Sequence, residues 1–200
     1  MKKLLFASLF LLISLVATGQ GQVGIVGGYT SARMSLSEEI SSIDIKSAPG
    51  YTLGVAGYFP LAVGFSVQPQ IMYSSKQAEV VGLSKHKVEY VEVPVQLQWG
   101  IDLIVIKPYV FVEPFAGLAV SGNVRNLQSS AKTRLKLDKR LEYGYSLGAG
   151  LMIGRHVQLS FKYFRNLDSA GLDVNVIPGA NLSSEEKSFN GLALSAGVFF

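Results

Sequence analysis

The chain has 200 residues, no cysteine, a formal charge of +4 and a composition that is 48% hydrophobic but only 16% charged. That length suits one domain, and the missing cysteine excludes both a disulfide framework and a lipid-modified cysteine at a leader cleavage site. The basic residues are scattered or confined to one stretch, and the N-terminus reads as an export signal, so nucleic acid is set aside as a partner.

Lys2 and Lys3 precede an apolar run from Leu4 to Ile13 that resumes from Leu15 to Ala17. Small residues at Ala17 and Gly19 predict cleavage before Gln20, which makes 1–19 a signal peptide and 20–200 the mature domain. The apolar run falls short of the about 20 residues that a spanning helix needs. Without Lys2 and Lys3 the formal charge is +2.

Beyond the leader the recurring pattern has a period of two. Phe65, Val67, Ile71 and Tyr73 oppose Gly64, Ser66, Gln68 and Gln70. Val91, Val93, Val95, Leu97 and Trp99 alternate with Tyr90, Glu92, Pro94, Gln96 and Gln98. Tyr143, Tyr145, Leu147, Ala149, Leu151 and Ile153 oppose Glu142, Ser146 and four glycines, whose small size predicts a narrow interior. The pattern predicts eight strands: Val23 to Arg33, Gly50 to Phe59, Ala62 to Ser75, His86 to Trp99, Lys107 to Gly122, Arg140 to Ile153, Val157 to Asn166 and Ser188 to Phe200. Short links at Pro60/Leu61, 100–106 and 154–156 alternate with long ones at 34–49, 76–85, 123–139 and 167–187.

An even strand number with short turns at one end and long loops at the other describes an all-β, eight-stranded antiparallel up-and-down transmembrane β-barrel of the bacterial outer membrane. Aromatic placement separates this expectation from a soluble barrel. With the first strand running outward, Tyr29, Tyr51, Tyr73, Tyr90, Tyr143, Tyr145, Tyr163 and Phe189 fall toward the external rim. Phe59, Phe65, Trp99, Tyr109 and Phe200 fall toward the periplasmic rim.

Leu192, Leu194, Ala196, Val198 and Phe200 alternate to the end of the sequence and resemble the C-terminal strand signature read by the outer-membrane assembly machinery. Four further stretches carry a family resemblance: Val67-Gln68-Pro69-Gln70-Ile71-Met72-Tyr73-Ser74, Tyr90-Val91-Glu92-Val93-Pro94-Val95, Lys107-Pro108-Tyr109-Val110, and Glu142 through Gly150. They resemble the small PorT-like outer-membrane barrels of Bacteroidota, a family that includes a component of gliding and type nine secretion. The resemblance covers most of the mature chain and implies a barrel type, not a reaction. Where such barrels often have Gly-Pro in the fifth strand, this chain has Glu113-Pro114, which makes the interior more acidic.

Glu92, Glu113 and Glu142 share the inward parity with Lys162 as the clearest inward base, and Lys107 lies near the periplasmic rim. A salt-bridged plug is expected, since eight strands leave an interior that side chains just fill; the alternative is a gate or proton path. Pro69, Pro94 and Pro114 stand at similar heights in three consecutive strands and predict either bulges or a weakened seam. In the third long loop Arg134, Lys136 and Arg140 share a parity and are candidates to contact lipopolysaccharide phosphates, a solvated face being the alternative.

Enzymatic use of the barrel rests on His86 near the external rim, with Ser84 and Glu79 close by, because His156 falls in a periplasmic turn. No nucleophile motif surrounds His86. No metal site and no cofactor are expected, since the two histidines do not pair. The expected function is therefore a non-enzymatic structural or interaction role, attached to protein secretion or surface assembly through a secretion-system or periplasmic partner. The alternative is an outer-leaflet lipid A hydrolase or transferase using His86.

Overall fold

The computed structural model describes residues 21–35, 45–80, 84–126, 132–134, 141–168 and 188–200. The predicted leader, Lys136 and Arg140 lie outside them. The strands are β1 (Gln22–Ser35), β2 (Ile45–Pro60), β3 (Phe65–Val80), β4 (Ser84–Gly100), β5 (Ile106–Asn126), β6 (Lys132–Arg134), β7 (Leu141–Ile153), β8 (Val157–Asp168) and β9 (Ser188–Phe199). All pairings are antiparallel; β4 pairs with β5 and β9 with β1, so eight strands close into a barrel. Closure leaves no open edge among these strands, which is what a sheet in hydrocarbon requires. The three-residue β6 adds only to the outer end of β5, through Asn123↔Arg134 to Arg125↔Lys132.

Alternation decides which side of the wall each residue faces. Val23, Ile25, Leu53, Val55, Ile71, Val91, Val93, Val110, Val112, Leu147, Phe161 and Leu194 are all exposed, whereas Gln68, Gln98, Glu113, Glu142 and Asn166 are buried. A water-soluble protein would hide the first set and wet the second. A band of apolar side chains around the whole wall is stable when lipid surrounds it. The assembly-signal residues Leu192, Leu194, Ala196, Val198 and Phe200 all face outward, and Phe199 is wholly buried. Backbone bonds between Phe200 and Val23 at 2.9 and 3.3 Å complete the closing seam.

The structure corrects several boundaries. The third strand starts at Phe65, not Ala62, because 61–64 form a turn in which Val63 and Gly64 take φ values of 57° and 80°. An added Cβ at Gly64 would collide with the Gly100 carbonyl oxygen, so the turn needs glycine there. The expected loop 76–85 is mostly hairpin, since pairing continues from Lys76↔Val88 to Val80↔Ser84. Residues 123–126, read as loop, extend β5. Two girdle aromatics also turn inward, Tyr90 and Tyr109, at most 4% exposed, whereas Phe59 keeps the outward parity of Leu53 and Val55 and lies covered against the wall, where an added Cβ at Gly57 would stand 2.8 Å from its ring. Their height suggested a girdle, but strand parity sends Tyr90 the same way as Glu92. Tyr29, Tyr51, Tyr73, Tyr143 and Tyr163 do face outward near one rim, with Phe65 and Trp99 near the other.

Candidate functional site

The site is the barrel lumen, built in layers. In the outer half Glu92 on β4 and Glu142 on β7 are both register partners of Gly117 on β5. Inward-pointing carboxylates on alternate strands would collide with a side chain between them, and a Cβ at Gly117 would stand 3.0 and 3.1 Å from their Cγ atoms. The glycine lets the two acids converge on one ammonium. Lys76 Nζ lies 2.7 Å from Glu92 Oε1 and 2.6 Å from Glu142 Oε1. Ser74 Oγ donates to Glu92 at 2.6 Å and Asn166 Nδ2 to Glu142 at 2.7 Å. The rings of Tyr90, Phe115 and Phe164 surround the same ammonium at 4.8, 5.0 and 5.5 Å. Such contacts stabilise a desolvated cation that two acids alone would leave without a shell.

The middle layer centres on Glu113, which is wholly buried. It pairs with Lys162 of β8 and accepts from Gln96 at 2.5 Å, Ser146 at 3.2 Å and Gln70 at 3.3 Å. Below it lies an amide layer. Gln68 and Gln158 exchange two bonds of 3.1 and 2.9 Å across the lumen, and Gln98 joins them through Gln68 and Gln96 at 2.9 and 2.8 Å. Ser66 donates to Gln98 at 3.1 Å. An apolar cluster of Val26, Ala56, Tyr58, Met72, Met152 and Phe199 packs beside the polar groups, with Tyr58 edge-on to Phe199 at 6.1 Å. Among the described residues, the cavity lined by these polar groups measures about 40 Å³, enough for ordered water.

All four predicted network residues lie in this lumen, but in two groups: Glu113 meets Lys162, while Glu92 and Glu142 meet Lys76. Lys76 is absent from the predicted network because it lies one residue beyond Ser75, the predicted end of the third strand, whereas the strand runs on to Val80. The signal was present, since Gln68, Gln70, Met72, Ser74 and Lys76 keep one unbroken parity. The prolines also differ from the bulge expectation. Pairing on β4 and β5 jumps from Pro94↔Phe115 to Leu97↔Val112, three residues on each strand, so the register is kept and only rungs are lost. The same interruption lies between Pro69↔Val95 and Met72↔Glu92, and between Ala56↔Gln70 and Phe59↔Val67. The register shifts that do occur are elsewhere, at Ala48/Tyr51, Glu89/Tyr90 and Tyr143/Gly144.

Of the other candidates, Arg134 has its backbone in β6, against Asn123. His86 sits in β4 opposite Ala78 and Val124. His156 is exposed in the turn after β7, its Nδ1 2.6 Å from the Gly154 carbonyl oxygen. Among the described residues no three His, Cys, Asp or Glu side chains gather in a way that could hold a metal ion.

Residues 18–170 match the family described as outer membrane protein beta-barrel domain. The chain belongs to that family. Its place is accordingly the outer membrane, and its wall is a membrane-spanning one. Among solved structures it is similar to the Neisserial surface protein A, with a TM-score of 0.51 and 11% identity over 89% of this chain and 97% of that one. It is also similar to Ail, the attachment invasion locus protein of Yersinia pestis, with a TM-score of 0.48 and 16% identity over 90% of this chain and 99% of Ail. The outer membrane enzyme PagL scores 0.48 at 11% identity, over 87% of this chain and 98% of PagL. At these identities the likeness is one of fold. No curated protein matches the sequence.

Proposed function

We propose that this outer-membrane barrel is non-enzymatic and acts through its two rims, as a structural or interaction component of surface assembly or protein secretion. The observation that carries the reading is the packed lumen: two ion-pair groups, an amide layer and an apolar cluster surround a cavity of about 40 Å³. A wall so filled has no route for solutes, so contact must occur at loops and turns. The strand motifs around Gln68-Pro69-Gln70 and Val93-Pro94-Val95 support a place among the PorT-like barrels of Bacteroidota, and with it a secretion-system or periplasmic partner. The outward face of Leu192, Leu194, Ala196, Val198 and Phe200 is the surface offered to the assembly machinery. Outside the membrane, Arg134, Lys136 and Arg140 are the candidates to meet lipopolysaccharide phosphates.

The test is cross-linking of the tagged barrel in intact cells, read by mass spectrometry. The expected result is a reproducible stoichiometric periplasmic or secretion partner. A lipid A whose structure changes on deletion of the gene, and is restored by the parent but not by His86→Ala, would replace this reading with the enzymatic one.

A further inference from the structure

A second space, of about 620 Å³, lies at the periplasmic end of the barrel, bounded by the turns after β2, β4 and β7. That volume is in the range of a small-molecule pocket, about 300–1,000 Å³. Its walls are apolar at Leu61, Leu103, Ile106 and Met152, and two cations line it, Lys107 and Arg155.

Lys107 is held differently from the other luminal lysines described. Lys76 lies 2.6 and 2.7 Å from two carboxylates, and Lys162 is paired with Glu113. The Lys107 side chain is as little as 10% exposed, yet its ammonium is 3.5 Å from Asp102 and 3.4 Å from the Tyr58 hydroxyl. Charge-assisted bonds from an ammonium are about 2.7–2.9 Å long. Asp102 is 73% exposed, so its long contact is one that water competes for and an incoming anion can displace. An almost buried cation with slack partners, set in an apolar vestibule, is matched by an anionic head on an apolar body.

The surroundings supply such a molecule. Phe65 and Trp99, both exposed, are register partners at this end of the wall, and Gly64 and Gly100 next to them are joined by a 3.1 Å backbone bond. Gly64 lines the vestibule, so the mouth stands at the level of the inner-leaflet interface. Its rim carries Val63, Ile104 and Val105, exposed by 86%, 108% and 64%, where a periplasmic turn facing only water would be polar.

We propose that the periplasmic vestibule binds one single-chain anionic amphipath, a fatty acid or a lysophospholipid, its head at Lys107 and Arg155 and its chain against Leu61, Leu103 and Met152. Native mass spectrometry of the mature protein released from nonionic detergent tests this with palmitate, palmitoyl lysophosphatidylglycerol and neutral monopalmitoylglycerol as probes. Saturable one-to-one binding of an anionic probe is expected, with monopalmitoylglycerol about tenfold weaker, the loss of one charge-assisted contact. Palmitate alone would identify the head as a carboxylate; binding of both would admit the phosphodiester.

Lys107→Met should cost the anionic probes about tenfold and erase their advantage over the neutral one. Met152→Trp should weaken all three by filling the space. If Lys107→Met does not fold, Arg155→Glu in the exposed turn gives the same reading. Absence of saturable binding, or anionic binding unchanged in Lys107→Met and Arg155→Glu, would overturn the proposal.

Discussion

Gln96 donates to Glu113 at 2.5 Å across the stretch of the β4–β5 ladder that has lost its rungs beside Pro94 and Pro114. Gln70 reaches the same carboxylate at 3.3 Å from β3, whose own pairing breaks beside Pro69. Side chains in the lumen thus bridge three strands where prolines withhold backbone donors.

That relationship predicts a dependence between the two. Gln96→Ala should lower stability by about 1.5–3 kcal/mol, the range for a hydrogen bond to a charged group. In a Pro114→Val background, where an amide is restored to the ladder, the same change should cost less. Urea unfolding of the refolded barrel in a double-mutant cycle reads the coupling. Additive costs, with Pro114→Val itself leaving stability unchanged, would dismiss the seam.

Removing the ammonium from the outer layer should be severe. Lys76→Met leaves Glu92 and Glu142 buried without their cation and should cost about 3–5 kcal/mol. Neutralising both acids as well, in Lys76→Met/Glu92→Gln/Glu142→Gln, should recover most of the loss. The comparison of unfolding midpoints separates an uncompensated charge from a mere packing defect, which the triple variant would not repair.

Gly117→Leu should cost more than a change of side-chain size on the lipid face. Its first side-chain atom would meet Glu92 and Glu142 at 3.0 and 3.1 Å, so it must part the acids that hold Lys76, at an overpacking cost of about 1–3 kcal/mol. Leu118→Ala, next in sequence but outward and 49% exposed, serves as the comparison. Equal effects in an unfolding series would mean that the convergence on Lys76 contributes little.

How much of this was legible in the sequence follows from what alternation encodes. A period of two fixes the face, so parity alone places Glu92, Glu113, Glu142 and Lys162 in the lumen. It does not fix where pairing ends: the hairpin through Lys76 and Val88 looked like a polar loop because its residues no longer contrast lipid with lumen. Nor does it fix which acid meets which base, since that depends on barrel stagger. The pairing of Glu92 and Glu142 through Gly117 is a matter of register across three strands, and Gly117 gives no local sign of it. Tyr90 and Tyr109 stand at girdle height, yet parity and not height sets their face, and both are buried in the lumen.

The third external loop yields a prediction outside the membrane. If Arg134, Lys136 and Arg140 meet lipid A phosphates, binding of the barrel to lipid A should weaken as salt is raised. Charge reversal at the three positions should abolish that salt dependence, as surface plasmon resonance on captured barrel would record. Salt-independent binding, or binding unchanged by the reversal, would return the loop to an ordinary solvated face.

The central claim is that the lumen is closed by its own side chains, and the conductance of the purified barrel in a planar bilayer at high salt tests it most directly. The account predicts successful insertion with no steady ohmic current. A stable channel of uniform size would contradict it, because the Lys76 group, Glu113 and the amide layer bridge the lumen from strand to strand.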